Sequence, residues 1–179
     1  MSSVPATFVV FDLETTGLDA DRHEIIEIAA IRVNRDSTTH DTFQAFIRPR
    51  GKVPARITEI TGITQAMLDE TGEDLASVLE EFRVFIGDHP LVAFNAEFDA
   101  AFLSRAAKVA GSGKSIANPV SCALLMARMA WPGRRSYKLK DLAKDGNLDM
   151  SNTHRALGDC QRTMIVYGAA ARVLGRGTP

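Results

Sequence analysis

The sequence predicts an α/β domain built on a mixed sheet, and three observations carry that expectation. Strand-like apolar runs crowd the N-terminal part, helical periodicity dominates the rest of the chain, and short strands interrupt the helices. Phe8 to Phe11 is β-branched and aromatic, with Pro5 behind and Gly17 ahead, which reads as a buried strand. Glu24 to Val33 and Thr42 to Ile47 read as two more, joined by a turn at Asn34-Arg35-Asp36-Ser37, so the three should form an antiparallel meander. Pro54 to Ile60 and Thr64 to Leu68 look like short helices divided at Thr61-Gly62. Asp74 to Ile86 places Leu75, Val78, Leu79, Phe82 and Phe85 at helical spacing. Leu91 to Phe94 is a short buried strand, after which Asn95 should cap a helix reaching about Ala110, with Glu97 near its positive end. Gly111-Ser112-Gly113-Lys114 reads as a flexible loop within the domain. Val120 to Met129 starts as a strand and becomes a helix, and Leu139 to Ala143 is a short helix. Ala156 to Leu174 is a long Ala-rich helix closed by Gly175.

Bulk properties narrow the class. The 179 residues suffice for a single domain, 1–179 with a core of about 7–174, and 45% hydrophobic against 24% charged residues is ordinary for a globular protein. No apolar stretch approaches membrane-spanning length and the N-terminal residues do not resemble a signal peptide, so a cytoplasmic location and no membrane partner are expected. Cys122 and Cys160 lack metal-site or C-x-x-C spacing and read as packed thiols. A net charge of −1 argues against a protein that coats nucleic acid, while leaving room for one that grips a strand end through metal ions.

The most informative residues lie in Phe11-Asp12-Leu13-Glu14-Thr15-Thr16-Gly17-Leu18. Strand alternation puts Asp12 and Glu14 on one face. Adjacent ionised acids repel, and the remedies are a proton, a basic partner or a cation; hard oxygen ligands on a rigid strand suit Mg²⁺ or Mn²⁺. Asp99 falls in the first turn of a helix, where an acid is favourable without any further role. Asp159 lies early in the last helix. His154, five residues earlier, can converge with it only from the preceding loop, for which Ser151-Asn152-Thr153 supplies polar residues. An imidazole there is a natural proton acceptor near neutral pH. His23, His40 and His89 occur in turn-like polar surroundings and read as surface residues.

Asp12-x-Glu14, Asp99 and His154-x₄-Asp159, in that order, resemble the motifs of the DEDDh (DnaQ-like) 3′→5′ exonucleases. Ile26-Glu27-Ile28-Ala29-Ala30, Ile60-Thr61-Gly62-Ile63-Thr64 and Phe94-Asn95-x₂-Phe98-Asp99 fit the same pattern, and the likeness runs from about Thr7 to about Val173. The nearest flavour is the proofreading (epsilon) subunit of bacterial DNA polymerase III. The resemblance implies a ribonuclease H-like fold with a five-stranded mixed sheet flanked by helices. It implies hydrolysis of terminal phosphodiesters at DNA 3′ ends to nucleoside 5′-monophosphates, in a proofreading setting with a polymerase subunit as partner. Asp12, Glu14 and Asp159 would bind one Mg²⁺ (or Mn²⁺), and Asp12 would bridge to a second ion near Asp99, the pair roughly 3.5–4 Å apart. His154 would take the proton of the attacking water, so activity should rise with pH through the range of an ordinary imidazole, about 6.5. Thr15 and Thr16 would hold the terminal 3′-hydroxyl, Leu18 and Ile63 would pack on the last base, and Asn95 and Phe98 would complete the substrate contacts. Arg128, Arg134, Arg135, Lys138 and Lys140, interleaved with Trp131 and Tyr137, form a candidate phosphate track, and Arg155 is a further phosphate candidate.

Two other readings stay open on the sequence. An RNA-trimming enzyme would use the same chemistry, because discrimination at the 2′ position depends on packing rather than on these motifs. A catalytically dead nucleic-acid-binding relative would keep the fold and lose the metal.

Overall fold

The computed structural model describes residues 5–111, 116–150 and 154–176. Its frame is a five-stranded sheet of order β3-β2-β1-β4-β5. β1 (Thr7–Thr15) pairs antiparallel with β2 (Ile25–Asn34), which pairs antiparallel with β3 (Asp41–Phe46). On the other side β1 pairs parallel with β4 (Leu91–Ala93), and β4 pairs parallel with β5 (Val120–Cys122). The sheet is therefore mixed, as expected from the meander followed by strands separated by helices. One boundary differs in a way that matters. β1 runs on past Phe11 through Thr15, because β2 is long enough to pair with it, so both acids are held inside the ladder.

Seven helices flank the sheet: α1 (Ala55–Thr61), α2 (Gln65–Thr71), α3 (Leu75–Ile86), α4 (Ala96–Val109), α5 (Ala123–Ala130), α6 (Leu139–Asp145) and α7 (Ala156–Arg176), as counted among the described residues. Alternation along β1 divides the core in two. Val9, Phe11 and Leu13 point to one face and pack with Phe82 of α3 and Phe102 of α4; Phe8 and Val10 point to the other and pack with Ala156, Cys160 and Tyr167 of α7. Asp12 and Glu14 continue the second set, so the strand delivers both to the α7 side.

Local chemistry explains the helix ends. Asp74 accepts from the Ala76 and Ser77 amides at the start of α3, and Thr64 accepts from the Met67 amide at the start of α2. Gly62 ends α1 at φ 73°, a left-handed conformation that glycine adopts without penalty, and this allows the chain to turn into α2. Two expectations need correction. Asn95 precedes α4, but its side chain makes no capping hydrogen bond. α7 continues through Gly175 to Arg176, since one helical glycine at an exposed end costs only about 1 kcal/mol. The Ser112-Gly113-Lys114 part of the expected loop, and Ser151-Asn152-Thr153, lie outside the described residues.

Both cysteines are free and their thiols point at backbone carbonyls, Cys122 at Phe94 and Cys160 at Ala29. No helix among the described residues is long and apolar enough to cross a membrane.

Candidate active site

Three elements meet at the carboxylates. β1 supplies Asp12 and Glu14, the first turn of α7 supplies Asp159, and the first turn of α4 supplies Asp99. One oxygen each of Asp12, Glu14 and Asp159 lie within 4.8 Å of one another. Asp99 is buried beside them and ranks first among the charges acting on Asp12. Residues separated by 147 positions thus share a site because α7 packs across β1 and β2.

The electrostatics are those of charges crowded together. Burial raises the pKa of Asp12 well above the usual carboxylate range, and Asp99, Asp159, Glu14 and Glu27 push it further. Burial also lifts Glu14 to about 8, aided by Asp159 and Glu27 and opposed by Arg155. Asp99 rises to about 7 through burial, while hydrogen bonds from its own amide and that of Leu13 pull it back. Close acids that resist ionisation gain the most from a cation, and three convergent hard oxygen donors fit a divalent ion. The donor set therefore suits the metal that the sequence led us to expect.

His154 stands in the turn ahead of α7, exposed, with φ 61°. Its amide donates to Asp159 Oδ2 at 3.3 Å, and the Asp159 amide donates to the Arg155 carbonyl at 3.0 Å. Asp159 Oδ1 receives Arg162 Nε at 3.0 Å, and Arg162 Nη1 also reaches the Asp149 carbonyl at 3.0 Å. Arg162 is itself buried, so it fixes the acid from behind. Positions three apart share a helix face, which made this pair legible in principle.

The predicted substrate contacts divide. Leu18, Asn95 and Phe98 come together with Ala20 and Phe102 around a cleft of about 250 Å³. Leu18 is 86% exposed, whereas the Phe98 ring rests on Phe102 with centroids 4.9 Å apart. Ile63 does not join them. It is fully buried with Ile26 and Leu68 beneath α1 and α2, so the side chain is core and the expectation that it meets a base is withdrawn. Thr15 and Thr16 are also buried, and their hydroxyls serve the chain: Thr15 Oγ1 donates to the Gly17 carbonyl at 2.6 Å, and Thr16 Oγ1 accepts from the Glu24 amide at 3.0 Å. A larger cavity of about 500 Å³ lies behind the Ala20–Glu24 loop, and none of Asp12, Glu14, Asp99, His154 and Asp159 lines it.

The basic track is also revised. Arg134 pairs with Asp145, Arg128 lies over the Tyr137 ring at 5.9 Å, and Trp131 and Tyr137 pack against Ala127, Leu142 and Val166 as a small core. Arg135, Lys138 and Lys140 remain exposed. Arg155 points inward to Glu27, which is wholly buried. Glu27 had no assigned role in the sequence; its signal was a lone charge inside the apolar run Ile25 to Ile31.

Known proteins resemble this chain in sequence and in fold. The DNA polymerase III subunit epsilon of Aquifex aeolicus is 38% identical over 162 residues, covering 90% of this chain and 78% of that protein. The PolC-type DNA polymerase III of Bacillus subtilis is 40% identical over 157 residues, covering 88% of this chain, which spans only 11% of the polymerase. Among solved structures, a full-length 3′-exonuclease superposes with a TM-score of 0.79 at 21% identity, covering 98% of this chain and 62% of the other. Exonuclease X bound to 5′-overhanging duplex DNA gives 0.72 at 24% identity, with 95% and 92% covered. Exonuclease I of E. coli in its zinc-bound complex with single-stranded DNA gives 0.78 at 20% identity, covering 97% of this chain and 41% of the other. These likenesses establish a ribonuclease H-like exonuclease fold. Residues 9–167 match the Exonuclease family (RNase_T), and the chain belongs to it.

Proposed function

We propose that this protein is a metal-dependent 3′→5′ exonuclease that removes nucleoside 5′-monophosphates from single-stranded or frayed DNA 3′ ends. The observation that carries the reading is the convergence of Asp12, Glu14 and Asp159 within 4.8 Å, with Asp99 buried and near enough to be the leading charge acting on Asp12. Asp12, Glu14 and Asp159 would hold one Mg²⁺ or Mn²⁺, and Asp12 with Asp99 a second. Bound there, the ions supply Lewis acidity and neutralise charge at the phosphate.

The remaining work falls to the chain. His154, exposed at the rim and tied through its backbone to Asp159, accepts the proton of the attacking water. Leu18, Asn95 and Phe98 line the cleft that receives the terminal nucleotides, with Phe98 held for stacking by Phe102. Thr15 and Thr16 act through the turn they close, not by direct contact from their hydroxyls. The DNA assignment and a proofreading role on a polymerase rest on the epsilon and PolC-type relatives.

Digestion of 5′-labelled single-stranded DNA and matched RNA, with Mg²⁺, Mn²⁺ or EDTA, tests the reading. The expected result is a metal-dependent ladder growing from the 3′ end, faster on DNA, and lost by at least about 10³-fold in Asp12→Ala. Faster digestion of RNA would move the enzyme to the RNA-trimming class. A folded wild type that cleaves neither polymer with either metal would overturn the catalytic reading.

A further inference from the structure

Glu27 is a fully buried carboxylate that occupies no predicted role. It lies on β2 directly opposite Glu14 in the β1–β2 register, on the face that packs against α7. Burying an acid is costly unless charged and hydrogen-bonding partners surround it. Here they do. Glu27 Oε1 receives Gln44 Nε2 at 2.6 Å and Arg155 Nη2 at 3.1 Å; Oε2 receives the Ala156 amide at 3.2 Å and Arg155 Nε at 3.4 Å. The Arg155 guanidinium also covers the Phe46 ring at 5.3 Å, closing the pair from that side.

The partners of Glu27 are the residues on which the site depends. Ala156 opens α7, and its amide is one of the donors that a helix start leaves unpaired. A carboxylate placed there is also favoured by the helix dipole. Arg155 directly follows His154, and its carbonyl accepts the Asp159 amide. A continuous set of bonds therefore links Glu27 to Arg155 and Ala156, Arg155 to Asp159, and Asp159 to the His154 amide. His154 sits at φ 61°, a region costly for a residue with a side chain and kept only where its surroundings impose it.

We infer that Glu27 is a positioning residue: its buried carboxylate clamps the His154-Arg155 turn and the start of α7 against β2, and so sets where His154 and Asp159 stand relative to Asp12 and Glu14. The inference rests on the proposed nuclease activity for its catalytic consequence. Its structural content, a local clamp, stands apart from that activity and is measured separately. Orienting contacts behind ligands and bases typically contribute 10–100-fold to activity, because a ligand displaced by a fraction of an ångström no longer serves.

Glu27→Gln keeps the shape but sets an amide NH₂ among N–H donors and removes the charge that Arg155 needs. The variant is compared with wild type by steady-state kinetics on single-stranded DNA in Mg²⁺, thermal melting, and amide hydrogen exchange. The expected result is a kcat lower by about 10–100-fold with KM within about threefold. The Ala156 and Asp159 amides should exchange at least about tenfold faster, with Val10 and Ile31 in the sheet unchanged. Arg155→Lys, which keeps one charge and loses the fork, should fall between the two proteins. Wild-type kcat in Glu27→Gln would overturn the inference, as would faster exchange spread evenly over the sheet with kcat tracking the folded fraction. An inactive wild type would sink the nuclease reading instead; the exchange at Ala156 and Asp159 would then decide whether the clamp exists.

Discussion

A buried acid held above its ordinary pKa is a local liability, and Asp99 shows it most simply. It is 3% exposed and titrates near 7, so at pH 8 the folded protein carries a charge it would rather neutralise. Asp99→Asn should therefore raise the metal-free melting temperature at pH 8 by about 2–8 °C, for a gain of about 1–2 kcal/mol. Near pH 5 the native acid holds its proton and the difference should shrink. The same variant should lose most nuclease activity. Melting curves at the two pH values, without divalent ions, check the first part; no difference between them would show that Asp99 is not strained. Legibility in the sequence divides at this scale. Asp12 and Glu14 were readable because strand alternation is local, and the placement of His154 before its helix followed from the five-residue spacing. The partners of Glu27 and Arg155 were not, since they join residues 128 positions apart. Ile63 was misplaced because its short apolar segment fits a surface turn and a buried one equally well.

At the scale of elements, position is enforced by packing on the far face of β1. Phe11 and Phe82 meet as tilted rings with centroids 5.9 Å apart, Phe43 and Phe82 likewise at 5.8 Å, and Phe82 is fully buried. α3 thus presses on β1 directly behind the acids while α7 closes the front. Phe82→Ala should cost about 3–5 kcal/mol through lost burial and a cavity. Urea unfolding should show a lower midpoint with little change in slope; a loss below about 1 kcal/mol would mean that α3 does not brace the sheet. The helical spacing of Val78, Leu79 and Phe82 and the β-branched runs made these elements readable from the sequence alone. Their ends were less so. β1 extends through the acids only because β2 is there to pair with them, and α7 runs on through Gly175 because a glycine costs a helix only about 1 kcal/mol and need not end it.

For the whole molecule, stability, proton binding and metal binding should be one linked equilibrium. Glu14 at about 8 and Asp99 at about 7, with Asp12 also raised, bind protons more tightly folded than unfolded, where ordinary values are 4.5 and 3.8. Linkage then fixes the sign: the contribution of these groups to stability is fully present below about pH 4 and is lost as pH rises, through about 7 for Asp99 and about 8 for Glu14. A divalent cation reverses the balance, since it favours the ionised acids and must displace their protons to bind. The metal-free protein should accordingly lose melting temperature between pH 5 and pH 8, while saturating Mg²⁺ or Mn²⁺ should stabilise it far more at pH 8 than at pH 5. At 100 times its dissociation constant a single ion contributes about 2.7 kcal/mol, enough for a shift of about 5–10 °C. Titration calorimetry of Mn²⁺ into the protein near pH 7, repeated in two buffers of different ionisation enthalpy, should report proton release on binding. Equal heats in both buffers would show that the acids are already ionised without metal, and the crowding argued for Asp12, Glu14 and Asp99 would then be wrong.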